Sequence, residues 1–264
     1  MCVPGWRAGG NSIRLLPVRA KDITICGLAA VRARFQTDAA SIKRLYFDYP
    51  TGRKIGVMCK VLAAAKKIYR CVEPAELEKI AGTMHHGGIV AVVTASDLWE
   101  PDAAVIGAWA AKRTPVLVLD RIGNAHNLGA LARTAAFFGI TELVISADLQ
   151  SARPNDAAFR VAEGGLEKIT VWQTPDLVKF IRELRAAQYV AIAAATRGGR
   201  PETALKRGNP VALVLGNEEH GLAPEVAAAC TQAVTIPGSG AVESLNVSVA
   251  GAVLMWELIG RRSR

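Results

Sequence analysis

The chain is 264 residues long, 51% of its residues are hydrophobic and 21% are charged, and its formal net charge is +9 at pH 7. This composition argues against an intrinsically disordered chain and allows one large core or two smaller ones; we expect two domains. The longest apolar run, residues 247–259, is interrupted by Glu257 and is shorter than the roughly 20 residues that cross a bilayer. We therefore expect no membrane span.

The positive charge is concentrated at the front of the chain. Residues 1–70 contain 14 Lys or Arg against 3 Asp, whereas the remaining 194 residues contain 18 Lys or Arg against 20 Asp or Glu. A basic region beside a neutral one suits the phosphate backbone of a nucleic acid, because each neutralised phosphate releases counterions. The alternative is a solvated basic face that aids solubility, and charge alone does not separate the two interpretations.

The first 20 residues predict a loose tail, because they lack the apolar block of a secretory signal. Five cysteines are scattered along the chain without a C-x-x-C pair, and the four histidines have no metal-ligand spacing. This usage indicates a reducing, cytoplasmic setting and no metal site. The cysteines are Cys2, Cys26, Cys59, Cys71 and Cys230.

Residues 23–94 predict a small α/β unit, and residues 96–114, which include Pro101, predict a connector. In chain order the unit contains a helix over 25–35, a strand over 44–49, a helix over 55–68, a short apolar segment over 69–72, a helix starting at Pro74 and a strand over 88–94.

From residue 115 onward, strand and helix signals alternate. The strands are apolar on both faces, which indicates a parallel sheet covered by helices on both sides, a doubly wound α/β domain. Strands are predicted at 116–119, 142–145, 169–172, 189–194, 211–215 and 233–236, with helices over 128–138, 177–187 and 247–259.

Polar clusters follow three of these strands. The sequence DRIGNAHNLGALARTA follows the strand at 116–119, GNEEHGLAP follows 211–215, and PGSGAVESLN follows 233–236. Ligands of open parallel sheets bind beyond the carboxyl ends of the strands, so neighbouring strands would bring these clusters to one pocket. The last helix is apolar on nearly every face and is expected to be buried, with its polar first turn forming the floor of the pocket. The side chains expected to converge are Asn127, Arg133, Glu218, Ser244 and Asn246.

Each of these residues taken alone has a plainer interpretation. Arg133 points about 150° away from the apolar stripe of its helix, as a solvated arginine does. Asn127 and Ser244 suit helix N-caps, and Glu218 suits an exposed turn. The sequence GSG at 238–240 is not a dinucleotide-binding fingerprint, because position 243 is Glu rather than Gly.

Together the three clusters resemble the SpoU (TrmH) family of RNA ribose 2′-O-methyltransferases, in the SPOUT superfamily. The resemblance rests on NLGALARTA at 127–135, LGNEEHGL at 215–222 and IPGSGAVESLNVS at 236–248. The front region also resembles the family's substrate-binding domain, through ICGLAAVRA at 25–33 and HGGIVA at 86–91, although Gly87 departs from that pattern.

We expect a tail (1–20), which the resemblance does not explain, an RNA substrate-binding domain (21–95), a linker (96–113) and a methyltransferase domain (114–264), for which the resemblance implies a deep trefoil knot. The resemblance also implies a homodimer that acts on transfer or ribosomal RNA. S-adenosyl-L-methionine would bind in the knot, at Gly216, Ile236 and Leu245, with Thr196 as a further contact.

In that family the arginine at the position of Arg133 has the activating role. We expect Arg133 to position the target phosphate and to stabilise the developing alkoxide, because a guanidinium is normally protonated. Asn127 and Glu218 would orient Arg133 or the ribose, and Ser244 and Asn246 would shape the pocket.

Two other functions remain open at this stage. One is an RNA-binding or assembly factor that retains the fold and the cofactor pocket without turnover. The other is a nucleotide-dependent oxidoreductase, which the missing glycine fingerprint disfavours.

Overall fold

The structure is a computed structural model that describes residues 22–199 and 209–260. The tail predicted for residues 1–20 lies outside the described residues.

The front of the chain forms a four-stranded sheet with the strand order β1-β4-β2-β3. Strands β1 and β2 pair antiparallel with β4, and β3 extends the sheet parallel to β2. The apolar positions of α1 and α3 pack on one face of this sheet, whereas α4 packs on the other. The elements are β1 (Asp22–Cys26), α1 (Leu28–Asp38), β2 (Ile42–Phe47), α2 (Tyr49–Gly52), α3 (Gly56–Ala64), β3 (Ile68–Cys71), α4 (Pro74–Ala81) and β4 (Ile89–Thr94).

The helix predicted from residue 25 is wrong at its start. Ile25 and Cys26 belong to β1, where they pair with Ala91 and Val90 of β4. Gly27, at a φ of 90°, turns the chain between β1 and α1. The strand is missed because its apolar residues run into those of the helix, and its pairing partner lies more than 60 residues away.

The rest of the chain forms a six-stranded sheet in which every neighbouring pair is parallel, with the order β10-β8-β9-β5-β6-β7. Helices α6, α7 and α10 cover one face, and α5, α8 and α9 cover the other, which confirms the doubly wound α/β prediction. The elements are α5 (Ala103–Lys112), β5 (Val116–Leu119), α6 (Ala125–Phe137), β6 (Glu142–Ser146), α7 (Asp156–Ala162), β7 (Thr170–Thr174), α8 (Leu177–Ala186), β8 (Val190–Ala194), β9 (Val211–Leu215), α9 (Pro224–Ala229), β10 (Gln232–Val234) and α10 (Val247–Leu258).

The predicted connector contains ordered structure. Asp102 caps α5 by accepting a hydrogen bond from the Val105 amide, and Ile106 and Trp109 of this helix are buried against the second sheet. Upstream of α5 the chain runs beside β7, an edge strand. The Gln173 amide of β7 donates to the carbonyl of Trp99 at 3.0 Å.

The two sheets are joined by a packed junction between α1 and the segment that follows α7. The guanidinium Nε of Arg34 lies 3.0 Å from Oε1 and 2.9 Å from Oε2 of Glu167, and both side chains are buried. The pKa of Glu167 lies above its usual value, because burial raises it by more than the nearby charge of Arg34 and the hydrogen bonds from Arg34 and Thr37 lower it. Asp156, at the start of α7, also accepts hydrogen bonds from the amide and hydroxyl of Thr24 in β1.

Helix α10 is only partly buried within the single chain. Gly251, Leu254, Met255 and Leu258 are buried, and Gly251 lets α10 approach Leu131 of α6 and Leu215 of β9 closely. The opposite face is exposed, so the expectation that nearly every face is buried is wrong for one chain. On this exposed face of α10, the exposed fractions are 49% for Val249, 37% for Val253 and 40% for Trp256.

Candidate active site

The site lies at the carboxyl ends of β5 and β9, which are neighbours in the sheet. Each strand ends in a polar loop, and the Asp120 amide donates to the Leu215 carbonyl at 2.8 Å, which ties the two strand ends together. Ligands of open parallel sheets are expected at this edge.

The loop after β9 folds back tightly on itself. The Asn217 amide donates to the Gly221 carbonyl, and the Gly221 amide donates to the Asn217 carbonyl. The side-chain oxygen of Asn217 accepts hydrogen bonds from the amides of Glu219 and His220. A Cβ on Gly216 would lie 2.2 Å from the Leu222 nitrogen, so the backbone crosses itself at a point where only glycine fits.

Three of the five predicted site residues meet in one hydrogen-bonded chain. The side-chain amide of Asn246 donates to Oδ1 of Asn127 at 3.2 Å, and the side-chain amide of Asn127 donates to Oε1 of Glu218 at 2.9 Å. These residues come from α6, the loop after β9 and the start of α10, and are up to 119 positions apart. The prediction that the three polar clusters converge is therefore met by Asn127, Glu218 and Asn246.

Glu218 links the first and second clusters. Its carboxylate accepts hydrogen bonds from the amides of Gly123 and Asn124 at 3.2 and 3.3 Å, in addition to the one from Asn127. Desolvation, the largest single influence, raises the pKa of Glu218, but the hydrogen bonds together outweigh it and leave the pKa below its usual value. Glu218 is therefore held as an anion, which suits positioning more than proton transfer.

The helix caps differ from the plainer interpretations of the sequence. Asn124, not Asn127, caps α6 by accepting from the His126 amide. Asn246, not Ser244, caps α10 by accepting from the amide and hydroxyl of Ser248. Asn127 is instead buried in the first turn of α6, where its side chain is free to join the site.

Beside these residues lies an open cleft of about 860 Å³, a size typical of sites for small molecules. Asn127, Glu218 and Asn246 line it, together with Gly123, Asn124, Ala125, Gln150, Asn217, Glu219 and His220.

The other predicted residues lie outside this lining. Arg133 is six residues further along α6 than Asn127 and pairs with Glu163, at 3.0 Å between Nη2 and Oε2. Among the predicted cofactor contacts, Gly216 is buried at the base of the folded loop and Ile236 is half-buried. Ser244, Leu245 and Thr196 are exposed.

Two residues that support the loops were not predicted. Asp120 is 3% exposed, accepts from the Ala223 amide at 2.8 Å and binds Nε of Arg121 at 2.9 Å. The hydrogen bond to Asp120 is also the main reason that the pKa of Arg121 is raised. The side-chain amide of Asn217 donates to the Arg121 carbonyl at 2.8 Å. Asp120 directly follows β5, and only Gly216 separates Asn217 from β9. That position at the end of a strand is the signal that could have identified them.

Within the described residues, no group of three or more His, Cys, Asp or Glu side chains is placed to hold a metal ion. In the same ranges, no helix has the length and hydropathy needed to cross a bilayer.

Comparison with known proteins assigns both halves of the chain. Residues 114–256 match the model of the SpoU rRNA Methylase family, and residues 24–99 match the model described as RNA 2′-O ribose methyltransferase substrate binding. A relative from Ralstonia nicotianae, named 23S rRNA (guanosine-2′-O-)-methyltransferase RlmB, is 33% identical over 92% of this chain and 98% of its own length. Another, from Escherichia coli O157:H7, is named uncharacterized tRNA/rRNA methyltransferase YfiF and is 32% identical over 90% of this chain and 68% of its own length.

Solved structures share the fold. A putative RNA methyltransferase of the TrmH family from Porphyromonas gingivalis aligns with a TM-score of 0.72 at 24% identity, over 94% of this chain and 92% of that one. The SpoU methyltransferase AviRb from Streptomyces viridochromogenes, in complex with AdoMet, aligns with a TM-score of 0.69 at 21% identity, over 93% and 92% of the two chains. On the family-model match and the identity to its relatives, the chain belongs to the SpoU methylase family.

Proposed function

We propose that this chain is an S-adenosylmethionine-dependent methyltransferase that acts on the ribose 2′-hydroxyl of ribosomal or transfer RNA. The observation that carries the proposal is the hydrogen-bonded chain from Asn246 through Asn127 to Glu218, at the mouth of a cleft in a member of the SpoU family. The names of the RlmB relatives support the reaction, and the AdoMet complex of a protein with the same fold supports the cofactor.

The site's residues fit that cofactor. The crowded glycine at position 216 presents backbone rather than side chain at the carboxyl end of β9, the strand whose following loop lines the cleft. We propose that the backbones of Gly216, Ile236 and Leu245, with Thr196, hold S-adenosylmethionine, which supplies the methyl group when bound.

The chain's own residues position the nucleophile. Displacement at a methyl group requires the ribose oxygen to be aligned in line with the leaving group, so placement contributes most. Asn127 and Asn246 are held by Glu218 and by the helix cap, which leaves their amides at fixed positions on the cleft wall. We propose that Arg133 and Ser244 also act in catalysis, Arg133 by binding the target phosphate and stabilising the alkoxide.

A homodimer accounts for the position of Arg133 outside the cleft lining. Arg133 and Phe137 are four residues apart on α6 and therefore share one face of the helix. Phe137 is 82% exposed, and the next residue, Phe138, lies 6.0 Å from Trp256 of α10 between ring centroids. An apolar surface formed by Phe137, Val253 and Trp256 suits a second copy of the chain, which would bring Arg133 to the interface.

The front unit provides a surface for RNA. Residues 49–72 contain six Lys or Arg and no Asp or Glu. Lys67 is held by the carbonyls of Ala39 and Ala40, but Arg53, Lys60 and Arg70 are exposed, and Tyr69, directly before Arg70 in β3, is also exposed. Cations beside an aromatic ring suit the phosphates and unstacked bases of RNA.

The remaining parts of the proposal follow the family. An RNA substrate-binding domain (21–95) and a methyltransferase domain (114–264) are supported by the two matched ranges. The segment between them, predicted as a linker (96–113), carries α5, which packs on the second sheet. The trefoil knot is proposed on the match to the family model alone. A cytoplasmic location is supported by four free cysteines among the described residues.

Transfer of tritiated methyl groups to RNA tests the proposal. Arg133→Ala should abolish transfer while S-adenosylmethionine binding, measured by calorimetry, stays within about twofold, because Arg133 is not among the proposed cofactor contacts. Arg182→Ala, an exposed arginine of α8 on the opposite face of the sheet, is the matched control and should remain active. Full turnover by Arg133→Ala would overturn its role, and cofactor binding without methylation by the native chain would favour an assembly factor.

Removal of the basic surface tests the RNA interface. Arg53→Gln combined with Lys60→Gln and Arg70→Gln should raise the Kd for RNA and flatten its dependence on salt, because fewer counterions are released. An unchanged salt slope would contradict this assignment.

A further inference from the structure

Glu163 occupies an unfavourable backbone position at the end of α7. Its φ is 45°, in the left-handed region that glycine adopts freely and that other L-residues avoid. Gly164 follows at a φ of 91°, so the chain reverses through two left-handed residues. A glutamate at the first of these positions calls for a reason, since glycine would be the less strained choice.

The carboxylate of Glu163 is directed to Arg133. The Oε2 to Nη2 distance is 3.0 Å, and the two side chains are 58% and 56% exposed. Exposed pairs of this kind contribute little to stability, because water competes and two long side chains must be ordered. Stability therefore does not explain why a glutamate is placed there.

The backbone beneath this pair is tightly fixed. A Cβ on Gly165 would lie 2.7 Å from the Arg133 Cα, and a Cβ on Gly129 would lie 2.5 Å from the Ala158 carbonyl oxygen. Helix α6 and the segment around α7 thus pack backbone against backbone. The base of Glu163 is held at a constant position relative to the base of Arg133.

The same turn also contacts the front unit. A Cβ on Gly164 would lie 3.2 Å from the Ala33 Cβ of α1, and the buried pair of Arg34 and Glu167 closes the contact four residues after Glu163. The segment 163–167 therefore lies between the first helix of the proposed RNA-binding unit and the helix that carries Arg133.

We propose that Glu163 is a positioning residue for Arg133, and that it holds the guanidinium in the orientation in which it receives the target phosphate. This inference rests on the proposed function of Arg133. An arginine has five N–H donors in a planar fork, so the contact at Nη2 leaves Nε and Nη1 for phosphate oxygens. Glu163 acts through Arg133 and has no contact with substrate.

Two variants separate positioning from a structural role. Glu163→Gly removes the carboxylate and relieves the backbone strain, so it should raise Tm. It should also lower kcat by about three- to fivefold, the rate change that corresponds to the free energy of one exposed ion pair. The KM for RNA should stay within about twofold. Glu163→Gln, which keeps the length of the side chain and loses the charge, should give a smaller loss of kcat with no gain in Tm.

Matched controls address the backbone and the charge. Gln188→Gly relieves another left-handed residue, at a φ of 69°, and Glu183→Gln removes the carboxylate of another exposed pair, with Lys179. Both should leave kcat unchanged. Equal losses of kcat in these controls and in Glu163→Gly would overturn the inference.

A double-mutant cycle with Arg133→Gln, which removes the charge that Glu163 contacts, completes the test when residual transfer is measured in single turnovers with excess enzyme. Because Glu163 acts only through the arginine, Glu163→Gly should lower that residual rate no further when Arg133 is already Gln. Additive losses would overturn the inference. If Arg133→Ala abolishes transfer but Glu163→Gly has native kcat, only the positioning role fails, whereas absence of transfer by the native chain refutes the proposed function itself.

Discussion

Replacing Arg34 by methionine should destabilise the whole chain, because this arginine neutralises a buried carboxylate across the junction between the two sheets. The side chains of Arg34 and Glu167 are 9% and 3% exposed, and Arg34 also lies 5.7 Å from the ring centroid of Phe159. Removing one partner of such a buried pair costs about 3–5 kcal/mol. For a protein of this size that loss corresponds to a decrease in Tm of about 6–20 °C.

The loss should depend on pH in a defined direction. Burial already raises the pKa of Glu167 above its usual value, and removing Arg34 raises it further. A carboxyl group whose pKa is higher in the folded state costs stability above its unfolded pKa of about 4.3, where it must ionise, and less as the pH falls. The destabilisation by Arg34→Met should therefore be smaller at pH 5 than at pH 8.

Urea unfolding followed by circular dichroism measures both effects. Lys179→Met, which removes an exposed pair with Glu183, is the control and should cost less than about 1 kcal/mol. Combining Arg34→Met with Glu167→Leu should recover most of the loss, because neither charge then remains buried. If Arg34→Met costs no more than Lys179→Met, or if the double variant is no more stable than Arg34→Met, the reasoning is refuted.

Three further predictions concern the site and its surroundings. Gly216→Ala should weaken S-adenosylmethionine binding at least about tenfold in calorimetry, because the added methyl group meets the Leu222 nitrogen at 2.2 Å; Gly107→Ala, with open space around it, should bind normally. Because the pKa of Glu218 is lowered, its contribution to stability is present above the unfolded value of about 4.3 and is lost as the pH falls through the folded value. Acid unfolding of Glu218→Gln should therefore be less steep below about pH 4.3 than that of the native chain, and equal steepness would contradict the hydrogen-bond assignment. Val253→Glu should convert a dimer to a monomer in light scattering, since it places a charge on the exposed apolar face of α10; a native protein that is already monomeric would exclude the proposed homodimer.

The sequence predicts the second sheet well because its strands are apolar on both faces. The residues of β5 and β9 are all buried, which matches their unbroken aliphatic runs. The meeting of Asn127, Glu218 and Asn246 follows from the same logic, since side chains after neighbouring parallel strands share one edge. Their exact partners do not follow, because they depend on how α6 and α10 pack.

Other features of the structure cannot be predicted from the local sequence pattern. The apolar residues of α10 have the same pattern whether they face a core or a second protein, so the exposure of Val253 and Trp256 could not be predicted. The pair of Arg133 and Glu163 depends on the close packing of α6 and α7 through Gly129 and Gly165. Helix α5 is missed because Pro101 and the flanking polar residues suggest a connector.

The path of the chain before α5 has a consequence for how the two halves can be separated. Strand β7 is an edge strand of the six-stranded sheet, and its Gln173 amide donates a hydrogen bond to the carbonyl of Trp99. An uncovered edge strand invites pairing with the edge of another molecule. A fragment that begins at residue 114 would lose that cover and self-associate along β7, so a soluble C-terminal half should be cut upstream of residue 98.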